Sequence, residues 1–418
     1  MNKKLLAVAV AAALAAPVAA FAQSTVTISG YIKLGLDNIS YSGSPSTAAA
    51  TRLNTNQVRM SDGSSQIILG MREDLGNGLA GVAQWDIRGD VSAGGAMATS
   101  GNSFVGLDST TMGRLTMGRF DLHYAKAPAQ VTNKAGALQG AATSLFDFIQ
   151  GIPIANATRT PNVVRYDTVN FSGFSAVIAY STNPLGNTAV DTQAAGYTNS
   201  SGTEADTLIT TAAKVSAAGA NRKGQGWNIN PKYSNGPINV EYSYWNARPD
   251  APVGSGLALS TAAGGQSLDQ RGDALAGSYQ FGGLNVGLAW NRSRLSLAVP
   301  STTVSGGTKL AERTTWSLPV TYAWGPHTIA AHYTRAGSMS SNVAGVTTTD
   351  SGANMFAAAY VYDLSKRTSV ALTYARINNQ TNASYNLFTS NALGSTGDSI
   401  VANGESPRLL SAGIKHAF

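Results

Sequence analysis

Leu284-Asn285-Val286-Gly287-Leu288-Ala289-Trp290-Asn291 sets a large apolar side chain at every second position, with small or polar residues between. Val370-Ala371-Leu372-Thr373-Tyr374 repeats the pattern. Successive side chains of a strand point to opposite faces, so this period of two gives strands with one apolar and one polar face. Two architectures share that period. A soluble sandwich turns the apolar face to its core and wets the other. A membrane barrel turns the apolar face to lipid and lines a lumen with the polar one. The strand ends favour the barrel: Tyr180, Tyr233, Trp245, Trp290, Trp324, Tyr333, Tyr362 and Phe418 close such segments, and aromatic residues girdle both membrane interfaces.

The N-terminus agrees. Lys3 and Lys4 precede the Ala-rich apolar run Leu5 to Ala20, and Ala20-Phe21-Ala22 is a small-x-small cleavage site. Residues 1–22 therefore read as an export signal that is removed, leaving Gln23 first in a single barrel domain, 23–418. A retained helical anchor is the other reading. The run is short for that, and the alternating Thr25-Val26-Thr27-Ile28-Ser29 follows at once. Composition fits an exported β-protein with many turns: 45 Gly, 16 Tyr, 12% charged residues and no Cys, hence no disulfides or thiolate metal sites. The formal charge of +7 falls to +5 without the two signal lysines. The basic residues are spread singly along strands, which argues against a nucleic-acid binder.

In order, strand-like segments run over Val26–Tyr41, Leu53–Asp74, Leu79–Arg88, Ser103–Leu107, Arg114–Phe120, Asn162–Asp167, Phe174–Tyr180 and Gly224–Tyr233. Ile238–Trp245, Gln270–Phe281, Leu284–Arg294, Glu312–Ala323, Thr328–Arg335, Asn354–Tyr362, Thr368–Ile377 and Pro407–Phe418 follow. The joins alternate between tight and long, as short periplasmic turns alternate with long outer loops. The expectation is an all-β, transmembrane antiparallel barrel of sixteen strands. Sixteen strands of about eleven residues and eight turns of about four leave about 23 residues for each outer loop.

One join stands apart. Asp121 to Pro161 shows no alternation of its own between two strands, and ordered loops of that length are usually functional. The roomy place for it is the lumen, where it would form a constriction.

Five short strings resemble a known family. Glu73-Asp74-Leu75-Gly76-Asn77-Gly78-Leu79 resembles its turn after the second strand; Phe104-Val105-Gly106-Leu107 with Thr116-Met117-Gly118-Arg119 resembles the hairpin feeding its constriction loop. Asn162-Val163-Val164-Arg165-Tyr166-Asp167 resembles the strand leaving that loop, and Tyr362-Asp363-Leu364-Ser365-Lys366-Arg367-Thr368 and Gly413-Ile414-Lys415-His416-Ala417-Phe418 resemble segments near its C-terminus. The family is the Gram-negative general porins, of the trimeric β-proteobacterial type. The resemblance implies a homotrimer in the outer membrane, surrounded by its lipid and lipopolysaccharide, with the third loop folded into each pore. It also implies that Ile414, His416 and Phe418 carry the signal read by the barrel-insertion machinery. Two departures matter. Gln66 and Gly101 stand where the family often has wall arginines, with only Arg165 keeping the third, and Leu145-Phe146-Asp147-Phe148-Ile149 replaces the loop's usual Pro-Glu-Phe-Gly.

Selectivity must therefore be read from this chain. Alternation from Ile67 and Leu69 puts Arg72 in the lumen; from Ala83, Trp85 and Ile87 it puts Arg88 there with Gln84 and Asp86; from Val164 and Tyr166 it puts Arg165 there beside Asp167. Lys33 shares the inward side with Tyr31 and Asp37, and Arg119 stands where a strand turns into the loop. The long loop offers the acids Asp121 and Asp147 against Lys126, Lys134 and Arg159. A cation pore sets loop acids against wall bases. Here the acids are few, so a mild anion preference is expected.

An enzyme or adhesin on a barrel scaffold is the competing class. The four histidines match no zinc spacing and no Gly-x-Ser-x-Gly elbow is present, so no catalytic residues, metal or cofactor are assigned. Passive diffusion of small hydrophilic solutes and ions leads, ahead of a substrate-selective channel with a lumenal binding site.

Overall fold

The computed structural model describes residues 24–43, 56–92, 94, 97–123, 148–149, 152–153, 159–182, 184, 225–248, 268–297, 306–344, 346–387 and 401–418. The expected export signal and most of the long loop, Asp147 included, lie outside them. The strands are β1 (Thr25–Ser42), β2 (Gln57–Asp62), β3 (Gln66–Gly76), β4 (Leu79–Arg88), β5 (Ser103–Ser109) and β6 (Gly113–Phe120). Then come β7 (Phe148–Ile149), β8 (Ile152–Pro153), β9 (Thr160–Asp167), β10 (Phe174–Ser181), β11 (Gln225–Asn235), β12 (Ile238–Arg248) and β13 (Leu268–Phe281). β14 (Leu284–Leu297), β15 (Lys309–Trp324), β16 (His327–Ala336), β17 (Ala353–Asp363), β18 (Thr368–Asn379) and β19 (Ser406–Ala417) complete the wall.

Every wall strand pairs antiparallel with its neighbour in sequence, and β19 returns to pair with β1, Leu34 opposite Ile414. The sheet is closed, so no edge is left with unpaired backbone groups, which lipid does not tolerate. β6 pairs directly with β9. The long segment between them, in which β7 and β8 form a separate two-stranded hairpin, thus leaves and re-enters between adjacent strands.

The second wall strand is broken, where alternation predicted an uninterrupted one. β2 and β3 both pair with β1, with Tyr31 opposite Gln66 and Leu34 opposite Asp62. Two residues of β1 thus face the three residues Gly63, Ser64 and Ser65, and Ser64 takes a left-handed φ of 70°. This is a bulge, and its extra residue reverses the side-chain parity of everything before it. Arg59 comes to lie opposite Asp37 and Ser61 opposite Gly35, on the inward side. Counted as one wall strand, β2 and β3 bring the barrel to sixteen strands, and the described residues contain no helix.

The two faces differ as the alternation requires. Outward stand Ile28, Leu36, Trp85, Val105, Leu288 and Leu372, all well exposed, while the inward positions include the buried Lys33, Asp37, Asp86, Thr116, Asn228 and Thr373. Trp245 departs from its expected place in the aromatic girdle. It points inward, 2% exposed, and packs with Phe120, Leu122 and Val163. Gly226 makes the room, since a Cβ there would lie 2.7 Å from Trp245 Cη2. This small apolar cluster sits at the mouth of the long loop, and burying a Trp or Phe side chain contributes about 2–3 kcal/mol each to fixing it.

Candidate pore wall

A ladder of alternating charge crosses the inward face from β3 to β9. Arg72 Nη1 lies 2.6 Å from Asp108 Oδ2, and Arg114 Nε lies 3.1 Å from Asp108 Oδ1. Asp167 sits opposite Arg114 in register and takes two bonds from Arg165, at 2.6 and 2.8 Å. Antiparallel pairing puts these residues on one face because directly opposed residues share a side. Partly exposed pairs of this kind contribute little stability, under about 1 kcal/mol each, so their effect is to orient guanidinium groups along the wall. Asp108 and Arg114 were not singled out by alternation alone. Their signal was available: they flank the β5–β6 turn at positions that a tight hairpin must bring face to face.

Arg88 and Asp86 are two residues apart on β4 and form a forked pair at 2.9 and 2.7 Å. Arg88 Nη1 also donates to Ser64 Oγ at 3.0 Å, so the bulge contributes to the arginine's seat. Asp86 accepts the backbone N–H of Asn102 at 3.2 Å and is 2% exposed. A Cβ on Gly101 would fall 1.9 Å from the Asp86 carboxyl carbon. Glycine stands at 101 because the Asp86 carboxylate occupies the space a side chain would need. Gln66 lies opposite both Tyr31 and Arg88.

Lys33 and Lys415 are direct register partners across the β1–β19 seam. Their ammonium groups lie 5.5 and 4.6 Å from the centre of the Tyr31 ring, within cation–π range. Counting outward from Ile414 places Lys415 inward, a step the reading of the C-terminus did not take. Arg59 was hidden for a different reason, the parity reversal at the bulge.

The ends of the long loop are tied to the wall. Asp121 accepts the backbone N–H of Arg159 at 2.7 Å and the Asn102 side-chain amide at 3.1 Å. Arg119 has the parity of the outward Leu115 and Met117, and its Nε donates to the Arg159 carbonyl at 2.8 Å. It braces the loop end and does not join the ladder. His123 Nδ1 lies 2.9 Å from Ser243 Oγ, to which Asn228 donates at 3.0 Å. His123 and Ser243 are 1% and 0% exposed, so this contact anchors the start of the loop to β11 and β12. On the outer face of β19, Ile414, His416 and Phe418 share one side, with His416 Nδ1 2.9 Å from Thr368 Oγ1. Among the described residues no group of three or more His, Asp or Glu side chains could hold a metal ion.

The family model described as Gram-negative porin matches residues 7–382. The chain belongs to the Gram-negative porin family. This porin is 28% identical over 412 residues to an outer membrane porin protein of Bordetella pertussis, covering 88% of this chain and 92% of that one. It is 31% identical to a major outer membrane protein P.IA of Neisseria meningitidis over 69% of this chain and 73% of that one. Among solved structures it is similar to an anion-selective porin from Comamonas acidovorans, with TM-score 0.65 and 19% identity over 95% of this chain and all of that one. The trimer form of OmpT from Vibrio cholerae gives TM-score 0.58 at 14% identity over 94% of this chain and 99% of that one. At these identities the structures speak for the fold alone, an antiparallel barrel; the family and the relatives place it in the outer membrane.

Proposed function

We propose that this porin forms a water-filled channel for passive diffusion of small hydrophilic solutes and ions, with a mild preference for anions. It is exported with residues 1–22 removed and works as a homotrimer, each barrel a separate pore with the loop from 121 to 161 as its constriction. The observation that carries the selectivity is the lysine pair at the barrel seam. The wall arginines Arg72, Arg88, Arg114 and Arg165 touch three carboxylates, Asp108 being shared by Arg72 and Arg114, so much of their field is cancelled at a distance and one positive charge is left over. Lys33 and Lys415 bring two more positive groups to the two sides of one ring at the seam. In a lumen with low-dielectric walls such a concentration raises the local anion population. Under a salt gradient across a planar bilayer, the reversal potential should take the anion sign; a cation sign would overturn the reading.

A substrate-selective channel is supported by one feature. A recess of about 140 Å³ opens beside Phe104, Phe120, Arg114 and Arg165. Its two rings stack with centroids 5.2 Å apart, and the Arg165 guanidinium lies 5.2 Å from the Phe120 centre. An apolar body bearing a hydrogen-bonding polar group would fit that lining, which also includes Gln84, Asn102 and Asp167. Conductance that saturates with one such solute, and not with chloride, would favour this second reading.

A further inference from the structure

The recess in the wall of β5 and β6 owes its shape to two glycines. Across that hairpin Phe104 pairs with Gly118 and Gly106 with Thr116, so two of the four inward positions carry no side chain and a hollow is left beside the Phe104 ring. Phe120, 4% exposed, stacks behind that ring. A solute therefore meets the half-buried Phe104 at one end of the recess and charged groups at the other. The volume of about 140 Å³ suits one small apolar body, since an apolar cavity of about 150 Å³ holds benzene.

The charged end presents both signs. Arg165 donates from Nε and Nη2 to the two oxygens of Asp167, and Arg114 donates from the same two nitrogens to Asp108. Among the described residues neither Nη1 group has an acceptor, so each guanidinium keeps donors for a solute. Asp167 lies opposite Arg114 in register and takes one bond on each oxygen, which leaves lone pairs for a further donor. Gln84 gives its amide N–H to the Asn102 carbonyl at 2.8 Å and keeps its own oxygen as an acceptor. Arg165, Asp167 and Arg114 are all within reach of the lumen, their side chains 23%, 28% and 42% exposed.

Solutes of a single charge suit this end poorly. A carboxylate attracted to the two guanidinium groups meets Asp167 beside them, and an ammonium attracted to Asp167 meets two cations. A neutral apolar solute would cover the N–H donors without satisfying them, which weakens binding. A zwitterion with both charges on one carbon answers both signs at once. Its dipole can lie antiparallel to the Arg165–Asp167 pair, whose charged atoms are 2.6 Å apart.

We propose that the recess binds α-amino acids with an apolar side chain: carboxylate on the Nη1 groups of Arg114 and Arg165, ammonium on Asp167 and Gln84, side chain against Phe104. This rests on the reading of the recess as a solute site and names the class of solute that occupies it. A site of this kind on a diffusion path is weak enough to release its occupant, and it shows itself as flux that saturates.

The test uses the intact porin in planar bilayers, with chloride current recorded as each probe is raised on both sides. Phenylalanine, phenylpropionate and phenylethylamine share a ring and chain and differ in charge, while glycine has the zwitterion without the ring. Phenylalanine should reduce the current saturably, half-maximal at a concentration about tenfold below that of each other probe. Asp167→Asn should bring phenylalanine and phenylpropionate within about twofold of each other, whereas Asp167→Glu should keep the preference. Phe104→Ala should bring phenylalanine down to the level of glycine. Where a variant does not form a barrel, the four probes on the unmodified porin decide alone. Equal half-saturation by phenylalanine and phenylpropionate would leave a solute site but overturn the zwitterion assignment. An Asp167→Asn porin that still prefers phenylalanine would overturn it too. Saturation by none of the four would overturn the assignment together with the reading of the recess beneath it.

Discussion

The carboxylate of Asp121 accepts the backbone N–H of Arg159, 38 positions further along the chain, at 2.7 Å. The residue that begins the long loop thus closes it. Arg159 takes a left-handed φ of 48° to present that N–H, and Asn102 holds the other carboxylate oxygen while receiving the Asp121 N–H at 2.8 Å. A hydrogen bond to a charged group contributes about 1.5–3 kcal/mol, enough to set the geometry of a loop mouth. Asp121→Ala should therefore leave the barrel folded but raise open-channel noise and mean conductance in bilayer recordings, with Asp121→Asn intermediate. Traces indistinguishable from the unmodified porin would show that this clamp does not hold the loop.

The lysine seam gives an ordering of variants. Lys33→Ala with Lys415→Ala should lower the anion-to-cation permeability ratio by about twofold or more. Arg165→Ala should move the reversal potential toward neutrality by less, because it removes one charge from a pair with Asp167 whose field is already short-ranged. Measuring both under the same salt gradient decides; a larger effect at Arg165 would reverse the assignment of the dominant charge.

The bulge at Gly63-Ser64-Ser65 sets a parity that labelling can read. The chain has no Cys, so single cysteines report cleanly. Arg59→Cys, half-buried on the inward side, should react with a membrane-impermeant thiol reagent and reduce the current, while Met60→Cys, exposed on the lipid side, should not. An unbroken strand in the register of β3 would give the opposite result.

Gly101 and Asp86 should behave as a coupled pair. Gly101→Ala places a methyl group on the Asp86 carboxylate, and overpacking of this kind costs about 1–3 kcal/mol. Asp86→Gly should lower the thermal midpoint on its own by removing the partner of Arg88, yet Gly101→Ala should cost much less in that background than alone, both followed by heat-modifiable electrophoretic mobility. Additive effects of the two substitutions would mean that the contact is not what excludes a side chain at 101.

Parity is a local property of extended chain, so the sequence by itself determined which face each uninterrupted strand shows. Leu284 to Asn291 carries its own alternation, and the sides of Arg72, Asp86, Arg88 and Arg165 follow from neighbours one residue away. The aromatic ends and the rhythm of tight and long joins set the class of barrel and the number of its strands for the same reason. Tertiary structure decided what depends on a partner strand. The bulge at Ser64 exists only relative to β1, and one extra residue turned Arg59 inward against any count made along the chain. Trp245 left the aromatic girdle because Gly226 on the next strand opened a space for it. The Arg72–Asp108 contact spans 36 positions, and the Lys33–Lys415 pair exists only because the last strand closes on the first. Such contacts are set by the register between strands, which a single strand's alternation does not encode.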